Sequence, residues 1–238
     1  MRAMNLRSIY VTGTDTGIGK SVASAALLHA LRSRGLRAVG MKPVASGCER
    51  TPRGWRNDDA RLLQGASAPR PDYADVNPYA LPSPLAPELA AADAGVILAL
   101  PAILAAHARL DAQADVVVVE GIGGWAAPLS ATLDQRDLVR ALDLPVLLVV
   151  GLRLGCINHA RLSARAIAAD GARLVGWIGN AIDPAMDRCD DVFALLQERL
   201  SAPCWGRLPF TAPPDPQALA RHLEVPVDVP QPARPGIG

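Results

Sequence analysis

The sequence predicts an α/β fold with a doubly wound, mostly parallel sheet, on three observations. Short β-branched runs recur at 9–12, 38–41, 116–119, 146–150 and 174–178, and most are apolar at consecutive positions. That is the pattern of strands buried on both faces. Between them lie alanine- and leucine-rich stretches with helical spacing, at 21–34, 98–112, 157–170 and 190–200, and alternation of the two gives a doubly wound topology. Finally, the 238 residues are half hydrophobic, enough for one sizeable core, so residues 1–224 are expected to form one domain.

The first strand runs directly into Gly13-Thr14-Asp15-Thr16-Gly17-Ile18-Gly19-Lys20-Ser21 and then into a helical stretch. Strand, small-residue loop, Gly-Lys-Ser and amphipathic helix in that order are the context of a phosphate-binding P-loop. Loop N–H groups and the positive end of the helix dipole face the phosphates, a lysine reaches the terminal oxygens and a hydroxyl ligates Mg2+. Lys20 and Ser21 stand in those two places. The common pattern has a glycine where this chain has Thr14, with Gly13 one residue earlier. The expected fold is therefore of the P-loop nucleoside triphosphate hydrolase type.

The second strand ends at Lys42-Pro43, with Ser46 and Gly47 soon after. This puts Lys42 at the carboxyl edge of the sheet beside the first loop, where an ammonium group can hold a phosphoryl group or a carboxylate; a solvated loop lysine is the plainer alternative. As an edge residue, Lys42 is expected to be replaceable by alanine without loss of the fold, while turnover stops. From 48 to 94 prolines are scattered through the chain, which reads as a long binding lid or a passive surface excursion. Within it Asn57-Asp58-Asp59 stands where a cap would start a helix over 60–64.

Glu120 ends the apolar third strand. A carboxylate there, beside a P-loop, is the usual partner of Mg2+; a helix-capping acid is the alternative. The run Gly121-Ile122-Gly123-Gly124-Trp125-Ala126 superficially satisfies a dinucleotide fingerprint, but Pro128 and an irregular stretch to Thr132 follow instead of a helix. The chain from Val225 onward is proline-rich without helical period, and residues 225–238 read as an extended or disordered tail.

Composition excludes several classes. With 24 basic and 23 acidic side chains the net charge is +1, which offers no broad positive face for nucleic acid. The four cysteines never form a C-x-x-C pair, so neither structural zinc nor a disulfide framework is expected, and they read as reduced thiols in a cytoplasmic protein. The four histidines do not cluster in sequence. No apolar run reaches the ~20 residues of a membrane span.

Taken in order, "VTGTDTGIGKS", "KPVASG", "RNDDA", "NPY", "VVVEGIGGW", "PVLLVVGLRLGCINHA" and "GWIGN" resemble the dethiobiotin synthetase family, over about three quarters of the chain. The resemblance implies a cyclo-ligase using ATP and Mg2+: a carbamate forms on one amine of 7,8-diaminopelargonic acid with CO2, ATP phosphorylates it, and the second amine closes the ring. By the same resemblance, Lys20 and Lys42 stabilise the phosphoryl group and carbamate, and Ser46 contacts the substrate. Ser21, Asp59 and Glu120 surround Mg2+. Thr16, Gly17, Ile18, Gly19, Lys20, Ser21 and Val22 hold the triphosphate, with Gly121 and Gly123 in the nucleotide site. Asn180 recognises adenine, and Pro209, Phe210 and Thr211 lie on the adenine side. Cys156 and Asn158 belong to a segment that binds the substrate carboxylate across a homodimer interface. The chain departs from the family in having Ser21 where threonine is usual, and either hydroxyl ligates Mg2+. Rival readings are a P-loop switch ATPase acting on a protein partner, an amidotransferase-type ligase, which needs an extra glutaminase domain, and a nicotinamide dehydrogenase built on 121–126.

Overall fold

The computed structural model describes residues 6–226. Six strands form the central sheet: β1 (Ser8–Gly13), β2 (Ala38–Met41), β3 (Val116–Gly124), β4 (Val146–Leu152), β5 (Leu174–Ala181) and β6 (Cys204–Leu208). Their order is β6-β5-β4-β1-β3-β2, and every neighbouring pair is parallel. All residues of β1, β2 and β4 are buried, as consecutive apolar positions require when helices cover both faces. Ile9 and Val11 enter one core layer with Leu27, Leu28 and Leu31 of α1 (Lys20–Arg32) and Leu63 of α2 (Asp58–Ala66). Tyr10 enters the opposite layer with Ala90 of α3 (Pro87–Asp93) and Ile103 and Leu110 of α4 (Leu100–Asp111). Each buried leucine contributes about 2 kcal/mol. Gly40 lets the first layer close on β2, because a Cβ there would stand 2.8 Å from Leu63 Cβ and 3.0 Å from Leu28 Cδ1.

The chain runs outward from β1 to β2, returns to insert β3 between them, and then crosses β1 to build β4, β5 and β6 on the other side. The carboxyl ends of β1, β3 and β4 therefore flank the point where winding reverses, the usual place for a ligand crevice in such sheets. α5 (Gln135–Ala141), α6 (Cys156–Ala169) and α7 (Cys189–Arg199) complete the helices that matter below.

Several expectations need correction. The stretch 48–94, read as a binding lid or a passive surface excursion, is built of regular elements, and its Asn57, Asp59 and Leu62 line the cavity described below. It holds a hairpin (Glu49–Thr51 with Gly54–Arg56), α2, a helical turn at Tyr73–Val76, a short strand Tyr79–Ala80 paired with Val44–Ala45, and α3. Val76, Leu81 and Ala90 anchor it in the core. Its prolines bound elements instead of preventing them; Pro87 opens α3, a position where the missing N–H costs nothing. The helix expected over 60–64 begins earlier, with Asn57 as its cap accepting from the Ala60 N–H. The stretch up to Thr132 is partly a hairpin, Pro128–Ser130 with Leu133–Asp134. Strand β6 has no counterpart among the runs that sequence predicts. The presumed tail begins too early, because Val225 is buried and its carbonyl accepts from Arg34, while the Glu224 N–H donates to the Trp205 carbonyl at 2.7 Å. Residues 227–238 of that tail lie outside the described residues. Among the described residues no helix is long and apolar enough to cross a membrane.

Candidate nucleotide and phosphoryl-transfer site

The loop between β1 and α1 turns on glycines with left-handed backbone. Gly19, at φ 78°, is the cap of α1, and this turn directs the first N–H groups of the helix outward. Asn180, near the end of β5, donates from Nδ2 to the Ile18 carbonyl at 2.9 Å and so holds the loop from the side. The Ile18 side chain is buried and packs over Gly151 of β4. Lys20 is nearly buried, and its Nζ donates to the Asp15 carbonyl at 2.7 Å. The Asp15 carboxylate pairs with Arg153 at 2.5 Å. The Thr16 N–H and then Arg153 hold that carboxyl below its usual range.

Across the loop, Ser21 Oγ donates to Glu120 Oε1 at 2.7 Å, and the same oxygen takes the Lys42 ammonium at 2.5 Å. Lys42 Nζ also lies 3.3 Å from Asp59 Oδ2 and 3.3 Å from the Gly121 carbonyl. Lys42 is 3% exposed and Glu120 0%, so the lysine is not a solvated edge residue. It does lie at the carboxyl end of β2 facing the first loop, with which it lines one cavity; β3 stands between the two strands, and Glu120 bridges Lys42 to Ser21. Burial by itself would make the Lys42 ammonium easier to deprotonate, but Glu120 and Asp59 outweigh it and the pKa sits above its ordinary value. Lys20 goes the other way. Burial and the neighbouring charge of Lys42 push its pKa down to about 8.

These groups open into one cavity of about 410 Å³, which takes in Thr16, Gly17, Gly19, Lys20, Ser21, Val22, Lys42, Ser46, Asp59, Glu120 and Gly123 together. A cleft of about 160 Å³ shares Gly17, Gly19 and Val22 with it and continues past Asn180 to Pro209, Phe210 and Thr211. Cys156 and Asn158 are elsewhere, in a groove at the start of α6 with Leu154 and Leu162. Burial raises the pKa of the Cys156 thiol, which argues against a reactive thiolate there. Gly124 stays in strand and a hairpin follows, so no helix opens at 121–126 to receive a dinucleotide.

The residues fit a magnesium ion. Glu120 Oε2 is buried without a hydrogen-bond partner among the described residues, an arrangement that is costly for a carboxylate oxygen unless a cation or water meets it. Ser21 Oγ and Asp59 share the same cavity. Among the described residues no three His, Cys, Asp or Glu side chains converge on one point. Magnesium does not need such a cage, since it habitually takes one or two carboxylates and leaves its other positions to phosphate and water. Sequence reasoning missed Ile122 and Leu62 as walls of the cavity and the Asp15–Arg153 pair; aliphatic walls and long-range ion pairs leave no local motif.

The Lys20 environment predicts a pH effect. Below pH of about 8 the free site carries its charge, and above that Lys20 must take up a proton from solvent as ATP binds. Affinity for ATP is expected to fall by up to about tenfold per pH unit above this point, a step that calorimetry should detect and that Lys20→Met should remove. Stability runs oppositely. The unfolded chain binds the extra proton between about 8 and 10.5, so this group's contribution to stability rises with pH across that window.

Fold, glycine-rich turn and converging lysines define a P-loop nucleotide-binding protein. A family described as an AAA domain matches residues 7–218. The chain is 68% identical over 219 residues to the ATP-dependent dethiobiotin synthetase BioD of Xanthomonas euvesicatoria, covering 92% of this chain and 98% of the relative. It is 62% identical over 221 residues to that of Xylella fastidiosa, covering 92% and 98%. Among solved structures it resembles the MinC:MinD cell division protein complex of Aquifex aeolicus, with a TM-score of 0.50, 14% identity and coverage of 85% and 81%. FlhF complexed with GMPPNP/Mg(2+) gives a TM-score of 0.50 at 14% identity, covering 93% and 75%. These structural likenesses speak for the fold alone. At the identities found over nearly its whole length, the chain belongs to the ATP-dependent dethiobiotin synthetase family.

Proposed function

We propose that this protein closes the ureido ring of dethiobiotin from 7,8-diaminopelargonic acid and CO2, converting ATP to ADP and phosphate, as a cytoplasmic homodimer with a single catalytic unit that extends to Val225. The observation that carries the reading is the convergence of Lys20 and Lys42 on one cavity with a buried carboxylate between Lys42 and Ser21. Such a site neutralises and positions anions, and it needs no protein nucleophile.

An amine of the substrate adds to CO2 and loses a proton, which leaves a carbamate anion for the Lys42 ammonium. The γ-phosphoryl group passes from ATP to a carbamate oxygen and ADP leaves, with Lys20 beside the oxygens that gain charge. The second amine then attacks the carbamoyl carbon, phosphate leaves, and the ring closes. Ser21, Asp59 and Glu120 would hold Mg2+, which supplies charge neutralisation at the triphosphate. Asn180, whose Nδ2 is engaged by the Ile18 carbonyl, keeps its Oδ1 acceptor for the adenine amino group, next to Pro209, Phe210 and Thr211. Ser46 contacts the substrate, and the turn through Gly121 and Gly123 closes the nucleotide side.

The start of α6, with Cys156 and Asn158, receives the substrate carboxylate of the partner protomer. Leu154, 95% exposed, and the exposed Leu162 flank this groove and support an interface there. Phosphate release from MgATP by the purified protein should require both bicarbonate and the diamine, with dethiobiotin appearing in equal amount. Release that ignores both would replace this reading with that of a switch ATPase.

A further inference from the structure

We infer that Gln135 is a positioning residue for this reaction: with Tyr10 it braces the turn 121–127 from behind and, through the Gly121 peptide, sets the place of the Lys42 ammonium. The inference rests on the ligase reading above. It begins with a break in the sheet. β3 pairs with β1 at Val11↔Glu120 and again at Gly13↔Gly124, so that residues 121–123 stand opposite Thr12 alone. Extra residues of this kind lose their ladder partners, and buried carbonyls must be satisfied otherwise.

Gln135, the first residue of α5, supplies the missing partners. It is wholly buried, and the two protons on its Nε2 serve three carbonyls, of Ile122 at 3.0 Å, Gly124 at 2.6 Å and Ala127 at 3.0 Å, so that one proton is shared between two of them. Its Oε1 accepts from the Tyr10 hydroxyl at 2.6 Å, in the middle of β1. The carbonyls demand a donor and the hydroxyl an acceptor, so the amide has one orientation. A flipped amide would set its oxygen against three carbonyl oxygens.

Gly121 lies flat on this pair. A Cβ there would stand 2.3 Å from Gln135 Oε1 and 2.5 Å from the Tyr10 hydroxyl. The carbonyl of the same residue accepts from Lys42 Nζ, and Glu120, bound to that ammonium, precedes it. One peptide therefore links the brace to the group that faces the carbamate. Ile122 and Gly123, in the same turn, line the cavity.

The test is steady-state kinetics of Gln135→Met, which keeps the volume and removes the amide, and of Gln135→Glu. In a folded Gln135→Met, kcat should fall on the order of tenfold or more, as small misplacements near a reacting centre do, while KM for ATP stays as in the unaltered protein. Hydrogen exchange should accelerate at 122–127. In Gln135→Glu the new carboxyl is buried against three carbonyls near Glu120, which raises its pKa. Protonated, it donates one hydrogen bond; ionised, it repels the turn. Its kcat should therefore rise as pH is lowered, a slope absent from the unaltered protein and from Gln135→Met. A part that merely stabilises the fold would not produce that slope. Unaltered kcat in Gln135→Met, or an unaltered pH profile in Gln135→Glu, overturns the assignment. Should Gln135→Met not fold, Tyr10→Phe keeps the three carbonyl bonds and removes the fourth; it should lower kcat by a smaller factor, and unaltered kinetics there overturn the assignment too. If the unaltered protein makes no dethiobiotin, the ligase reading fails separately, and unchanged exchange at 122–127 in Gln135→Met would still refute the brace.

Discussion

Lys42→Ala is expected to abolish ring closure and, in the same protein, to remove on the order of 3–5 kcal/mol of folding stability. The second half follows from burial. Lys42 and Glu120 are 3% and 0% exposed and in contact at 2.5 Å, and loss of the ammonium leaves a carboxylate in the core without its counter-charge. Sequence reasoning places Lys42 at the carboxyl edge of the sheet, where it is, and expects the fold to be indifferent because the residue is outside the core; its burial against Glu120 overturns that premise. The two losses can be separated. Lys42→Met combined with Glu120→Gln removes both charges, so it should recover much of the stability measured by denaturant midpoint while phosphate release stays at background. An active double variant would show that neither charge serves the reaction, and a Lys42→Ala protein as stable as the unaltered one would show that the pair is not buried in solution.

Gly19→Ala should weaken ATP binding on the order of 10²-fold, against tenfold or less for Gly17→Ala. Both glycines have left-handed backbone, at φ 78° and 74°, and there an alanine costs about 1–2 kcal/mol. What distinguishes them is space. A Cβ on Gly19 would stand 2.2 Å from Asn180 Nδ2, whereas nothing lies within 4 Å of one on Gly17. The first substitution therefore also expels Asn180 from the Ile18 carbonyl and disturbs phosphate and adenine sides together. Calorimetric titration of both variants decides it. Equal losses would mean that backbone strain is the whole effect and that the Asn180 contact is incidental.

The elements that sequence made legible are those whose burial is two-sided. β1, β2 and β4 announce themselves because consecutive apolar residues have no other explanation, and α1 because a phosphate loop must be followed by a helix. β6 was missed because its five residues include Gly206 and Arg207 and follow Pro203, a composition that reads as coil until Trp205 and Leu208 are seen to be core. The regular elements within 48–94 are not legible for a related reason: prolines mark the ends of elements as readily as their absence, and the anchors Val76 and Leu81 are single residues without period. At the site, the loop and Glu120 were readable from local order. The burial of Lys42, the Tyr10–Gln135 bond and the Arg153 pair were not, because each joins partners at least 78 residues apart in the chain.

Arg153 stands only three residues before Cys156, and it holds Asp15 from the phosphate loop. Both partners are partly exposed, so the pair is worth no more than about 1 kcal/mol. A link that weak does not lock two neighbourhoods together; it acts as a detent, able to release when a triphosphate claims the loop. Its consequence is one of timing. On the reading proposed above, in which the start of α6 seats a partner's carboxylate, nucleotide loading and carboxylate seating would share a contact that thermal motion can break, so neither event would need to wait for the other.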